Sequence, residues 1–322
     1  MTERRRLGRT SLEITPIGLG CWQFSSGFGL VGDFWEALPQ ETVDEIVRVS
    51  LAGGINWFDT AEAYGRGRSE QALTRALGAA GRKDGDVLVA TKWWPIPRTA
   101  KSIGTTIDDR LHCLGGFSID LHQVHQPFSF SSVKAEMEAM AELVAARKIR
   151  AVGVSNFSAG QMRRAHAALE KRGIPLASNQ VRYSLVDRGI ESNGILVAAR
   201  ELGVTIIAYS PLGQGILSGR FHADPTLVRS RPGPRRYMSP FRPSGLARTR
   251  PLVDELQRIA AARGATPSQV ALNWLVHVHA ETVVAIPGAS RPRHAEEAAG
   301  AMAFRLTDEE MARLDVLSRP FR

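Results

Sequence analysis

The chain has 322 residues, 43% of them hydrophobic and 23% charged, which is ample apolar material for a large core and not the composition of a disordered polymer. Its two cysteines, Cys21 and Cys113, exclude a disulfide framework or a cysteine-based zinc site, and no apolar run nears the roughly 18 residues that a membrane helix needs. The formal charge of +9, with only six lysines among 41 basic residues, suits any polyanion, from nucleic acid to a phosphorylated cofactor, and does not choose between them.

The opening Met-Thr-Glu-Arg-Arg-Arg lacks the apolar stretch of a secretion signal, so a cytoplasmic protein is expected. Arg4 to Leu7 and Leu12 to Thr15 then read as a small hairpin. From there, short apolar segments alternate with amphipathic ones. Strands are expected to begin near Gly18, Ile55, Asp86, Ile119, Ile149, Ala177, Thr205 and Thr282, with steps of 28 to 37 residues and a last step of 77. Helices are predicted over Thr42 to Ala52, Ser69 to Leu77, Thr99 to Leu114, Ser131 to Ala146, Ala159 to Lys171, Ser192 to Leu202, Pro267 to Val276 and Pro292 to Ala299.

Eight such units, with continuous apolar strands such as Val204 to Ala208, predict an α/β fold: a parallel (β/α)8 TIM barrel forming one domain over residues 1–322. A doubly wound sheet is the alternative. The long last step holds a Pro-, Gly- and Arg-rich stretch, Phe221 to Thr249, and an extra helix over Arg250 to Arg263. It reads either as a functional excursion on the catalytic face or as a solvated loop.

Barrel enzymes build their sites where strands end, which directs attention to the strand tips. The second strand runs into Asp59-Thr60-Ala61-Glu62-Ala63-Tyr64, the third ends in Lys92, and the fourth carries His125 just before Gln126-Pro127. A phenol titrates near 10, too high for easy proton donation at neutral pH. A lysine beside Tyr64 would stabilise the phenolate, Asp59 would balance that lysine, and His125 would polarise a carbonyl oxygen. Taken singly, a strand-end Asp is as readily a helix cap and Lys92 a surface residue.

Trp22, Phe24, Trp93 and Trp94 lie at the mouths of strands one and three, and neighbours on a strand point opposite ways. We assign Trp22 and Trp93 to an apolar substrate pocket, with core packing as the plain alternative. Gly27 to Gly32 fits Gly-x-Gly-x-x-Gly, but no helix opens on it and it reads as a loop. His122 and His125 face opposite sides of a strand, and His277 and His279 lack a third ligand, so no metal is expected.

With the tip residues in hand, the chain resembles the aldo-keto reductase family along nearly its whole length. Arg5 to Thr10 and Ile17 to Trp22 are similar to that family's hairpin and first strand. The resemblance implies that Asp59, Tyr64, Lys92 and His125 form a catalytic tetrad with Tyr64 as proton donor. It further implies that Ser155, Asn156 and Gln180 hold a nicotinamide carboxamide, for which their mixed donors and acceptors are suited. A helix cap is a second reading of Ser155-Asn156.

Tyr209, Ser210, Pro211, Leu212, Gly213 and Gly215 would then stack on the nicotinamide and approach the pyrophosphate, although Pro-Leu-Gly is also simply a turn. Ile286, Gly288, Ser290, Arg291, His294 and Glu297 would bind the adenosine end, with arginines favouring the 2′-phosphate of NADPH. Arg291 is the first basic residue after Pro287, and Ala298 stands where an asparagine is usual, so NADH stays open as the reductant. The expected activity is reduction of a small-molecule aldehyde or ketone by a monomer or weak oligomer, with neither nucleic acid nor membrane as partner. A nicotinamide-binding regulatory subunit and a Schiff-base lyase using Lys92 are the competing functions.

Overall fold

The structure is a computed structural model describing residues 3–25, 36–229 and 237–322. Two short strands, β1 (Arg5–Arg6) and β2 (Glu13–Ile14), pair as an antiparallel hairpin. Eight parallel strands follow: β3 (Leu19–Gly20), β4 (Trp57–Asp59), β5 (Leu88–Trp93), β6 (Ile119–Val124), β7 (Ile149–Ser155), β8 (Leu176–Arg182), β9 (Thr205–Tyr209) and β10 (Val283–Ile286). Each pairs with the next in chain order. The parallel bridges Ile17–Ala285 and Gly20–Gly288 bring the last strand back to the first, giving the (β/α)8 barrel. At that seam a Cβ on Gly20 would sit 2.8 Å from the Ile286 carbonyl oxygen, so the closure requires glycine.

The helices are α1 (Gln40–Ala52), α2 (Arg68–Ala79), α3 (Lys101–Thr105), α4 (Ile107–Cys113), α5 (Val133–Ala145), α6 (Ala159–Glu170), α7 (Ile195–Leu202), α8 (Arg220–Ala223), α9 (Pro243–Arg263), α10 (Pro267–His277), α11 (Pro292–Gly300) and α12 (Asp308–Ser318). Their starts follow local chemistry. Ser158 with Gln161, Thr266 with Gln269 and Thr307 with Glu310 form capping boxes that satisfy the first free N–H groups of α6, α10 and α12.

Three differences from the sequence expectation stand out. The helix expected over Thr99 to Leu114 breaks at Thr106 into α3 and α4. The extra helix starts at Pro243 and runs through Pro251, rather than starting at Arg250. The chain after Phe304, for which no helix is predicted, contains α12. The Gly27–Gly32 pattern and Arg231, Arg235 and Arg236 of the Arg-rich stretch lie outside the described residues. Among the described residues no helix is long and apolar enough to cross a membrane.

The core has two layers. Between sheet and helices lies the larger apolar layer, while inside the barrel Leu7, Leu12 and Ile14 of the hairpin plug the lower end against Trp57, Ala90, Leu121 and Ile207. Two residues further along the same strands the inward positions change character. Trp57 gives way to Asp59, Ala90 to Lys92 and Leu121 to Gln123, all buried. The hairpin therefore leaves the upper barrel to polar groups.

The C-terminal helix is tied to the barrel by one buried guanidinium. Arg188 donates to both Glu191 carboxylate oxygens at 2.8 Å and to Asp315 Oδ1 and Ser318 Oγ at 2.6 Å, and it lies 4.9 Å from the Trp274 ring centroid. Burial alone would raise the Glu191 carboxyl, but hydrogen bonds from His279, Arg188, Tyr183 and Arg322 hold it below the usual carboxylate range. Stability from such a group is present above the unfolded carboxylate range and fades on acidification. Arg188→Met is expected to cost about 3–5 kcal/mol in denaturant unfolding at neutral pH, because it leaves the buried Glu191 carboxylate short of a partner. The loss should shrink at acidic pH, and an unchanged unfolding midpoint would refute the role.

Candidate active site

The site grows from one buried ion pair. Asp59 ends β4 and Lys92 lies on β5, both pointing into the barrel and each at most 1% exposed. Lys92 Nζ donates to Asp59 Oδ1 at 2.5 Å and to the Thr60 carbonyl oxygen at 2.8 Å. On the other side, Asp59 Oδ2 accepts from Gln180 Nε2 at 2.9 Å and from Gln123 Nε2 at 3.1 Å. A carboxylate so deep needs these donors, since an unpaired charge there would not stay ionised.

Tyr64 sits in the turn after β4, part-exposed at the mouth, with Lys92 Nζ 5.1 Å from its ring centroid. Burial first, and then the negative charge of Asp59, push its phenol well above the ordinary range. The sequence argument expected Lys92 to lower it. The difference arises because Lys92 is bound directly to Asp59, whose charge offsets it. Tyr64 is therefore a protonated phenol over the ordinary pH range. His125, held through its backbone N–H on the Trp93 carbonyl at 3.0 Å, is kept well below its ordinary value by burial and then by Lys92, and is a neutral imidazole.

Aromatic rings frame the mouth. Trp22 stacks on Tyr64 with centroids 5.9 Å apart and planes at 20°, and the His125 ring meets Tyr64 edge-on at 5.7 Å and Trp94 at 5.1 Å. Trp93 is not part of this pocket. It is 1% exposed in the outer apolar layer, its Nε1 donating to Ser102 Oγ at 3.0 Å, because Lys92 points inward and the next residue must point outward. Trp94 returns to the mouth in its place, and Phe24 likewise packs in the outer core. Sequence reasoning also missed Glu62, whose carboxylate accepts from the Trp94 backbone N–H at 3.0 Å and from Arg98 at 2.6 Å, fixing the loop that carries Trp94.

The side chains expected to meet a nicotinamide adjoin this group. Ser155 Oγ donates to the Gln180 carbonyl at 2.9 Å. Asn156 Nδ2 donates to Ser155 Oγ at 3.2 Å, and its Oδ1 accepts from the Tyr209 hydroxyl at 3.0 Å. The helix-cap alternative for this pair falls away, since Ser158 caps α6. Asn156 and Ser210 both adopt left-handed backbone at φ of 61° and 51°, conformations that side-chain-bearing residues keep mainly where the surroundings enforce them. Arg182 lies 5.9 Å from the Tyr209 ring centroid. Beyond it, buried Pro211 and part-buried Leu212 lead into Gly213 and Gly215, also left-handed.

At the far end of the mouth, Ile286 turns its side chain into the inner apolar layer and brings its carbonyl to the seam with Gly20. The missing Cβ of Gly288 is the space that the Gln23 amide fills. The Ser290 N–H donates to His294 Nδ1 at 3.3 Å, and Glu297 accepts from Arg293 at 3.0 Å. Arg291 stands at the start of α11 with no side chain capping the helix. Arg220, absent from the sequence assignment, joins this group. Burial first, then the like charge of Arg291, pull its guanidinium below the ordinary arginine range. His294 is lowered by burial and, against the pull of Glu297, by Arg220, Arg291 and Arg293. Crowded cations at an open helix N-terminus fit a phosphate-bearing ligand, which relieves their repulsion. Among the described residues no cluster of three or more His, Cys, Asp or Glu is placed to hold a metal ion.

A family model described as the Aldo/keto reductase family matches residues 16–319. An uncharacterized oxidoreductase of Mycobacterium bovis is 36% identical over 314 residues, spanning 96% of this chain and 91% of its own. The chloroplastic pyridoxal reductase of Arabidopsis thaliana is 32% identical over 323 residues, spanning 96% and 84%. Among solved structures, glycerol dehydrogenase from Gluconobacter oxydans superposes with a TM-score of 0.83 at 27% identity over 98% of this chain and 94% of that one. An aldo/keto reductase from Klebsiella pneumoniae, solved with NADP and acetate, gives 0.73 at 25% over 99% and 96%. By its closed (β/α)8 barrel and by these matches, the chain belongs to the aldo/keto reductase family.

Proposed function

We propose that this protein is a NADPH-dependent reductase of small aldehydes or ketones, with Tyr64 as the proton donor. The observation that carries the reading is the meeting of a protonated phenol, a neutral imidazole and a buried lysine–carboxylate pair at one open mouth. Bound NADPH supplies the hydride. Ser155, Asn156 and Gln180 would hold its carboxamide, Tyr209 its ring, and Arg220 and Arg291 its phosphates.

The chain's own residues do the rest. The neutral His125 ring offers an N–H to the carbonyl oxygen and draws charge onto it. Tyr64 delivers its proton to the oxygen that becomes an alkoxide. An alkoxide is a stronger base than a phenolate, so the transfer runs downhill even from a phenol held above its ordinary range. Lys92, fixed by Asp59, then faces the phenolate left behind. Trp22 and Trp94 shield the reacting atoms from water and offer flat apolar surface to the substrate. A Schiff-base role for Lys92 would need a neutral amine, which the Asp59 carboxylate 2.5 Å from its Nζ disfavours.

The test is the loss of reduced-nicotinamide absorbance with a panel of aldehydes and ketones, NADPH and NADH run side by side. Turnover is expected with aromatic and apolar carbonyls, whereas tight cofactor binding without turnover would favour a regulatory nicotinamide-binding subunit. Tyr64→Phe is expected to lower kcat by about 10²–10⁴-fold. Its affinity for NADPH, read from nucleotide fluorescence, should stay close to that of the parent, and retained turnover would remove Tyr64 as the acid. Arg291→Ala is expected to raise KM for NADPH about tenfold, the equivalent of ~1.4 kcal/mol, with little change for NADH. Equal losses with both cofactors would place Arg291 away from the 2′-phosphate.

A further inference from the structure

One buried group beside the ion pair has no task in this scheme. Gln123 is the register partner of Lys92 on β6, with its side chain wholly buried below the mouth. One half of its amide is used, Nε2 donating to Asp59 Oδ2 at 3.1 Å, while its Oε1 has no hydrogen-bond partner. An apolar side chain here would leave no oxygen unpaired, and two residues earlier the same strand does place an inward leucine, Leu121. The neighbouring strand makes room for the amide. Gly153 is the register partner of Gln123 on β7, and a Cβ there would lie 2.9 Å from Gln123 Cγ and 2.4 Å from Ser178 Oγ. An unpaired buried oxygen and a glycine that accommodates it are costs borne for the sake of the remaining bond, the one to Asp59.

We propose that Gln123 is a positioning residue, which fixes Asp59 so that Oδ1 meets Lys92 and which thereby tunes proton transfer at Tyr64 without touching substrate or cofactor. The inference rests on the reading of Tyr64 as the proton donor. The ionisable groups facing Tyr64 are Asp59, Lys92, Tyr209, Cys21 and, edge-on, His125. Those facing Asp59 are Lys92, Tyr64 and Cys21, with the amides of Gln123 and Gln180 on its second oxygen. Each amide donor draws part of the carboxylate charge away from Tyr64. Removing one leaves more negative charge beside the phenol, which then holds its proton more tightly. Gln180 shares this task with its place beside Ser155 and Asn156, whereas Gln123 has no other.

The experiment compares the full-length parent with Gln123→Met, which keeps the volume and removes the donor, and with Gln123→Asn, whose amide is too short to reach Asp59. Carbonyl reduction and the reverse alcohol oxidation are each followed across pH, with NADPH affinity read separately by fluorescence. In oxidation Tyr64 must accept a proton as phenolate, so the rising limb should move to higher pH in either variant that folds. A shift of one pH unit corresponds to a tenfold change in the phenolate fraction, and kcat for reduction at neutral pH is expected to fall by about 3- to 10-fold. NADPH affinity should be unchanged. Profiles that superimpose on the parent's would overturn the proposal, as would joint loss of kcat and NADPH affinity with the limb unmoved. A parent that reduces no carbonyl would overturn the Tyr64 reading, and the inference with it.

Discussion

An ammonium and a carboxylate 2.5 Å apart inside a closed barrel constrain everything around them. Taking both charges out of water costs several kcal/mol each, and their attraction repays this only if every remaining lone pair and proton is also satisfied. The barrel goes far toward that condition with the Thr60 carbonyl on Lys92 and the Gln123 and Gln180 amides on Asp59, drawn from three different strands or their ends. Burial first, and then the charges of this pair, set the state of the groups above it. Asp59 helps keep Tyr64 protonated, and the charge of Lys92 helps keep His125 neutral. A protonated phenol and a neutral imidazole at neutral pH thus follow from burial and one ion pair acting together.

The strands reconcile this polar layer with a stable fold by alternation and depth. The inward positions below it are apolar and are sealed by the hairpin, so the ion pair rests on Trp57, Ala90 and Leu121 instead of on water. The outward positions of the same strands pack against the helices, which is where Trp93 belongs. Above the layer, aromatic rings form the walls and loops carry the groups suited to a long anionic ligand. Structural burden and chemical burden thereby fall on different heights of the same eight strands.

How much of this was legible in the sequence follows from distance along the chain. Regular spacing of apolar segments carried the barrel, and Asp59, Lys92 and His125 were visible because strand tips are fixed by those segments. Trp94 was within reach as well: once Lys92 is taken as inward, parity sends Trp93 outward. α12 was legible too, since Thr307 and Glu310 form a local cap signal three residues apart. The start of α9 was hidden because Pro251 looks like a first-turn residue yet lies inside the helix. Arg220, Glu62 and Gln123 are of another kind. Their importance lies in partners 32 to 71 residues away, Trp94 for Glu62, Asp59 for Gln123 and Arg291 for Arg220, and no local pattern marks such meetings.

The seam between β3 and β10 carries a consequence for how the protein is made. Asp59, Tyr64, Lys92 and His125 all leave the ribosome well before Val283–Ile286, and the ring that encloses them cannot shut until that strand reaches Ile17 and Gly20. Through most of synthesis the nascent chain holds the reactive residues without the low-dielectric enclosure that gives them their states. The edges of its sheet stay open over the same interval, ready to pair with other chains. Translation order thus makes the last strand the step that both closes the sheet edges and completes the enclosure around these four residues.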